Sequence, residues 1–242
     1  MKIYIVENYD ELSKKAAEII AKEIKIKNNI VLGLATGSTP EGMYAELVKM
    51  YDKGEIDFSN TCTFNLDEYY GLEDDHEQSY HYFMNKHLLK KVNIDKDNTN
   101  IPSGCTDEVE KFCKEYDEKI EAEGGIDLQL LGIGVNGHIG FNEPGNHFVG
   151  ETHIVDLTED TLDANARFFE TPDEVPKKAI TMGMKSILNS KKVLLIASGS
   201  GKAEAMYMAL KGPITPEVPA SILQLHNDLI VLVDKEAGAR LE

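Results

Sequence analysis

The sequence predicts an α/β protein built on one doubly wound, mostly parallel β-sheet with helices on both faces. Three observations carry that expectation. Short runs rich in Val, Ile and Leu alternate with longer segments whose apolar residues recur at helical spacing. The short runs are apolar almost throughout, as strands buried on both faces should be. No linker-like change of composition and no internal repeat divides the 242 residues, so residues 1–242 are expected to form a single domain.

The elements follow in order. The strand expected at 2–6 (KIYIV) is followed by Asn8 and, three residues on, Glu11, a capping-box pair. It opens a helix whose apolar stripe is Leu12, Ala16, Ile19, Ile20 and Ile24. A second strand at 30–34 (IVLGL) leads through ATGSTP to a helix carrying Met43, Tyr44, Leu47 and Val48. A third at 62–66 (CTFNL) runs out into DEYYGL. Val109, Phe112, Cys113, Tyr116 and Ile120 trace a further helix, ended by Gly124 and Gly125 before the strand at 127–133. Strands at 152–156 (THIVD), 192–198 (KVLLIAS) and 228–234 (DLIVLVD) complete the series, with a helix, AEAMYMALK, after the second of them.

A formal net charge of −17 excludes a nucleic-acid or anionic-membrane partner, because either needs a field of Lys and Arg. It leaves room for a small anionic substrate, which a few local donors can hold. The N-terminus has no apolar core of signal-peptide length, and no run approaches a membrane span, so a cytoplasmic location is expected. The three cysteines, Cys62, Cys105 and Cys113, show no CxxC spacing and read as reduced structural thiols. His76, Glu77 and His81 resemble a zinc helix, but the histidines are five residues apart where HExxH needs four. No metal and no cofactor is expected.

Three segments at strand exits carry the chemistry, because open α/β sheets bind ligands beyond the carboxyl ends of their strands. In LATGSTPEG, Thr39 can cap the following helix with Pro40 at its first position, which points the N–H groups of Gly37, Ser38 and Thr39 at an anion. ASGSGKA at 197–203 is a second turn of that kind and places Lys202 at a helix start; Ala203 replaces the hydroxyl a Walker A loop needs. Arg167 can add a bidentate donor. In FNLDEYYGL, Asp67 sits at a strand exit where partial desolvation raises its basicity. Taken singly, Asp67 and Glu68 suit loop solvation or a helix cap better than catalysis. In LGIGVNGHIGFNEPG, five glycines bracket Asn136, His138 and Glu143, the composition of a proton relay held in a loop that a ligand can approach closely.

Together these segments resemble the glucosamine-6-phosphate deaminases of the glucosamine/galactosamine-6-phosphate isomerase family. The likeness extends over nearly the whole chain: ATGSTP, FNLDEYYGL, GIGVNGHIGFNEP, NARFF, VPKKAITMG, GSGKA and PASILQLH. It implies a Rossmann-like sheet and conversion of glucosamine 6-phosphate and water to fructose 6-phosphate and ammonia, in amino-sugar catabolism. Carried to the matching positions, it implies that His138, supported by Asn136 and Glu143, moves the proton that opens the pyranose ring. Asp67 then takes the proton from C2, and Gly37, Ser38, Thr39, Arg167 and Lys202 hold the 6-phosphate.

Two departures from the family bear on detail. Many members have an aspartate where this chain has Asn136. The allosterically activated members carry basic residues in the strand where this chain has His153, Val155 and Asp156, and they extend beyond the position of Glu242. A short, non-allosteric bacterial type is therefore expected, as a monomer or small homo-oligomer. Two alternatives stand beside the deaminase reading: a 6-phosphogluconolactonase-like hydrolase, and a non-catalytic sugar-phosphate-binding effector domain. The second lacks its DNA-binding helix-turn-helix here.

Overall fold

The computed structural model describes residues 1–241 apart from 168, 170, 172 and 173. In chain order its strands are β1 (Lys2–Val6), β2 (Val31–Leu34), β3 (Cys62–Asn65), β4 (Asp67–Tyr70), β5 (Thr99–Asn100), β6 (Leu128–Leu131), β7 (His153–Asp156), β8 (Lys178–Thr181), β9 (Val193–Ala197) and β10 (Leu229–Asp234). The helices are α1 (Tyr9–Ile26), α2 (Ser38–Asp52), α3 (Tyr80–His87), α4 (Val109–Ala122), α5 (Glu159–Ala166), α6 (Met184–Asn189) and α7 (Ala203–Lys211).

Seven strands form one sheet in the order β1-β10-β9-β6-β2-β3-β5, and every neighbouring pair is parallel. The apolar runs explain who lies inside. All residues of β9 and β10 are buried, whereas β1, at the edge, exposes Lys2 and Tyr4. The fold class expected from the sequence is therefore present.

Three differences concern the smaller elements. The segment expected as a buried strand at 152–156 forms β7, which is only half-buried and lies in a separate antiparallel sheet, β4-β8-β7. The polar residues His153 and Asp156 at its two ends suit a partly solvated strand better than a central parallel one. FNLDEYYGL is not a plain exit loop, because Asp67 begins β4 and pairs in register with Thr181 of β8. The two-residue β5 and the polar β4 and β8 are too short or too mixed to show as apolar runs.

The helices pack as their stripes require. Asn8 caps α1, its side chain accepting the Glu11 N–H at 3.1 Å, while Glu11 accepts the N–H of Glu7 at 3.1 Å. Gly42 lets α2 lie close to α1, since a Cβ there would meet Ser13 Oγ at 2.3 Å. Tyr116 of α4 packs edge-on against Phe64 of β3 with ring centroids 5.7 Å apart.

The strand order fixes the place of the site. From β2 the chain builds outward to β3 and β5, and from β6 it builds the other way through β9 and β10. The order thus reverses between β2 and β6, and the crevice at their carboxyl ends is where such sheets bind ligands.

Candidate active site

Four strand exits converge on one cleft of about 250 Å³ at that crevice. Residues 35–39 enter from β2, Leu66 and Asp67 from β3, the 132–141 loop from β6, and Lys202 from β9; Thr161, Asn165 and Arg167 come from α5 and its end. Gly37, Ser38, Thr39, Asp67, Asn136, His138, Arg167 and Lys202 thus share one wall-to-wall space. Glu143 stands behind it, against His138.

The α2 end of the cleft rests on a glycine. Gly37, with φ of 100°, turns the chain so sharply that α2 begins at Ser38, and no side chain caps the helix. Thr39 is therefore inside the first turn rather than at the cap, and Pro40 is third in the helix rather than first. Ser38 and Thr39, at the helix N-terminus that can bind an anion through its first-turn amides, line the cleft. Tyr9 supports the turn by donating its hydroxyl to the Ser38 carbonyl at 2.9 Å and accepting the Gly42 N–H at 2.8 Å.

The turn after β9 works differently. Its amides are already engaged: Gly199 N–H lies 3.0 Å from Asp234 Oδ2, and Ser200 N–H donates to Glu236 at 3.2 Å. That turn is a rigid mount for the Lys202 side chain rather than a second backbone cradle. Burial, and then the neighbouring Arg167 guanidinium, hold the Lys202 ammonium below its usual pKa. A dianionic phosphate placed between the two cations would relieve both effects.

At the other end, Asp67 is only 6 % exposed. Burial, with the adjacent Glu68 carboxylate adding to it, pushes its carboxyl up to about 8. Gly140 makes the room: its φ is +58°, and a Cβ there would stand 3.3 Å from Asp67 Oδ2 and 2.9 Å from Thr181 Oγ1. Glu68 points away and serves the fold. It accepts the N–H groups of Tyr69, Tyr80 and His81 at 2.8, 2.9 and 3.0 Å, closing the N-terminus of α3.

The glycine loop holds the imidazole. A Cβ on Gly134 would fall within 2.3 to 2.5 Å of three His138 ring atoms, so only glycine lets the ring lie flat on that strand exit. Gly137, with φ of +86°, sits under Val218 and accepts the Ala220 N–H at 2.9 Å, which anchors the loop to the 219–225 turn. His138 Nδ1 is 3.4 Å from Glu143 Oε2, within ion-pair range though not aligned as a hydrogen bond.

Asn136 supports His138 through the backbone and Glu143 rather than by a hydrogen bond to the imidazole. Its Nδ2 donates to Glu143 at 3.0 Å and its Oδ1 accepts the His138 backbone N–H at 3.2 Å. An amide is the residue that can serve a carboxylate and an N–H together. Burial pushes the Glu143 carboxyl up, but His138, Thr161 and Asn136 outweigh it, and the group lies below its ordinary pKa.

Several cleft residues gave no signal in the sequence. Thr36 at the end of β2, Tyr80 from α3, and Thr161 and Asn165 from α5 line it. Ser79 caps α3 through the Tyr82 N–H and Thr158 caps α5 through the Thr161 N–H, and both caps were readable as helix starts. The 146–151 loop, a natural candidate for a cover by its glycine and polarity, is tied elsewhere: Val149 and Gly150 accept the N–H groups of Met184 and Lys185. Phe168 of the NARFF segment lies outside the described residues. Among the described residues no cluster of His, Cys, Asp and Glu is placed to hold a metal ion, and no helix is long and apolar enough to cross a membrane.

Comparison with known proteins places the chain. Residues 6–231 match the model of the glucosamine-6-phosphate isomerases/6-phosphogluconolactonase family. The chain is 58% identical over 239 residues to a glucosamine-6-phosphate deaminase of Thermoanaerobacter sp. (strain X514), covering 99% of this chain and 94% of the relative. A glucosamine-6-phosphate deaminase of Clostridium botulinum (strain Kyoto / Type A2) is 56% identical over 241 residues, covering 100% and 99%. A solved structure of a monomeric glucosamine-6-phosphate deaminase superposes with a TM-score of 0.97 at 48% identity, over 99% of this chain and all of the other. A 6-phosphogluconolactonase from Thermotoga maritima shares the fold, with a TM-score of 0.76 at 23% identity over 97% and 99%. On these grounds the chain belongs to the glucosamine-6-phosphate isomerase/6-phosphogluconolactonase family.

Proposed function

We propose that this protein is a glucosamine-6-phosphate deaminase, acting in the cytoplasm without a metal or organic cofactor. The observation that carries the reading is the single cleft lined by a buried carboxyl, Asp67, an imidazole, His138, and a phosphate-sized set of donors. The close deaminase relatives match the chain over its whole length.

The chemistry follows from the placement. The 6-phosphate docks on the first turn of α2, between Arg167 and Lys202, and fixes the sugar. His138, backed by Glu143, takes the proton from the anomeric hydroxyl and returns one to the ring oxygen, opening the pyranose to the aldehyde. Asp67, as carboxylate, removes the C2 proton. The electron pair moves into a C1–C2 double bond, and the C1 oxygen takes up the proton that the ammonium group gives up, leaving a neutral enolamine. Return of the proton from Asp67 to C1 leaves a protonated imine at C2. Water adds there and ammonia departs, leaving the ketone of fructose 6-phosphate. The ammonium substituent both acidifies C2–H and, beside Asp67, favours the ionised base.

The lactonase reading shares the fold and the anion end, but lactone hydrolysis has no carbon acid to deprotonate and leaves Asp67 without a task. The test is a pair of assays on the purified chain with EDTA present. One mole of ammonia per mole of fructose 6-phosphate from glucosamine 6-phosphate, with no acceleration of 6-phosphogluconolactone hydrolysis, is the expected result. Lactone hydrolysis without ammonia release would reverse the assignment.

A further inference from the structure

The mechanism leaves one buried polar side chain at the site unused. Thr161, on α5, is 3 % exposed and lines the cleft, and its hydroxyl donates to Glu143 Oε1 at 2.5 Å. Thr158 in turn donates to the Thr161 oxygen at 3.2 Å. The hydroxyls therefore form a directed chain from Thr158 to Thr161 to Glu143, which ends beside His138 Nδ1. Asn136 holds the other carboxylate oxygen. Glu143 is thus gripped from two sides, by the β6 loop that carries the imidazole and by α5.

The geometry assigns to Thr161 the role of a positioning residue: its hydroxyl aims the Glu143 carboxylate at His138 and so sets the acid–base pair that opens the sugar ring. The inference rests on the deaminase reading for the step it serves, but its structural basis is separate from the phosphate and C2 ends of the cleft. It gives α5 a double duty. The same two-turn helix supplies Asn165 to the cleft and ends on Arg167, roughly 9 Å along the axis from Thr161 at 1.5 Å per residue. The element that brings Arg167 to the cleft therefore also carries the hydroxyl that completes the proton relay. Displacing α5 undoes both contacts together.

The alternative, that Thr161 merely fills space, makes different predictions. Thr161→Val keeps the shape and removes the donor, and Thr161→Ser keeps the donor and removes the methyl group. Steady-state turnover of glucosamine 6-phosphate across pH is measured for both, and for Glu143→Gln alone and combined with Thr161→Val. We expect Thr161→Val to lose about 10- to 100-fold in kcat with a smaller change in KM, and to displace the limb of the pH–rate profile that the pair controls. Thr161→Ser is expected to recover to within about threefold of the parent. In the Glu143→Gln background the Val substitution should add less than about twofold, since a residue acting through Glu143 has nothing left to position. Unchanged kcat and pH profile in Thr161→Val, failure of Ser to rescue, or additive losses in the double variant would each overturn the assignment. If instead the parent chain releases no ammonia at all, it is the functional reading that fails, and the failure is visible before any variant is made.

Discussion

Asp67 shows how burial sets chemistry. Burial of its carboxyl, with the adjacent Glu68 carboxylate adding to it, keeps the neutral form up to about pH 8. The pH dependence of kcat/KM reports the free enzyme, and its acid limb is expected near that value. The limb for kcat should lie lower, because a bound ammonium group favours the carboxylate. A kcat/KM limb in the ordinary carboxylate range would contradict this. The same shift weakens the fold. A group whose native pKa is raised above its unfolded value of 3.8 gives its full contribution below that pH, and the contribution is lost as pH rises through about 8. Asp67→Asn should therefore melt a few degrees above the parent at pH 8, and the gap should close by pH 4 in a calorimetric series. Next to it, Gly134→Ala forces a methyl group into the His138 ring. A loss of about 100-fold in kcat is expected, with binding of an open-chain analogue, glucitol 6-phosphate, little changed.

At the scale of elements, the sequence was legible where physics is local and repetitive. The α1 capping box and the apolar runs of β9 and β10 stand at the expected places because period and burial determine them. What could not be read was set by tertiary partners. Glu68 and Asp67 are adjacent acidic residues with the same local character, yet one closes α3 and the other faces the cleft, and only the pairing of β4 with β8 decides which. The turn after β9 looked like a second anion cradle, and the acids that occupy it, Asp234 and Glu236, arrive from the far end of the chain. Thr161 was invisible for the same reason, since its partner is 18 residues away in another loop. Glu68→Ala should leave three first-turn and strand amides unsatisfied in the interior and cost about 3 kcal/mol in urea unfolding, whereas an exposed acid such as Glu77 should cost next to nothing.

For the molecule as a whole, parallel strands are the device that gathers distant residues. Because β2, β3, β6 and β9 point the same way, their exits meet at one edge, and residues 37, 67, 138 and 202 become neighbours. A division of labour follows. On the proposed mechanism the α2 end with Lys202 and Arg167 binds the phosphate, and the Asp67 and His138 end reacts. Lys202→Met is accordingly expected to raise KM for glucosamine 6-phosphate by tenfold or more, and to relieve inhibition by inorganic phosphate, with a smaller effect on kcat. Equal losses in kcat and kcat/KM would place the lysine at the reacting end instead.

The account stands on Asp67 being the base that takes the proton from C2 of a sugar held by its phosphate. Turnover of glucosamine 6-phosphate by Asp67→Asn, measured as ammonia released alongside the affinity for glucitol 6-phosphate, addresses that claim directly. A fall of about 10²- to 10⁴-fold in kcat with affinity retained is the predicted result. Turnover close to that of the parent chain would contradict it.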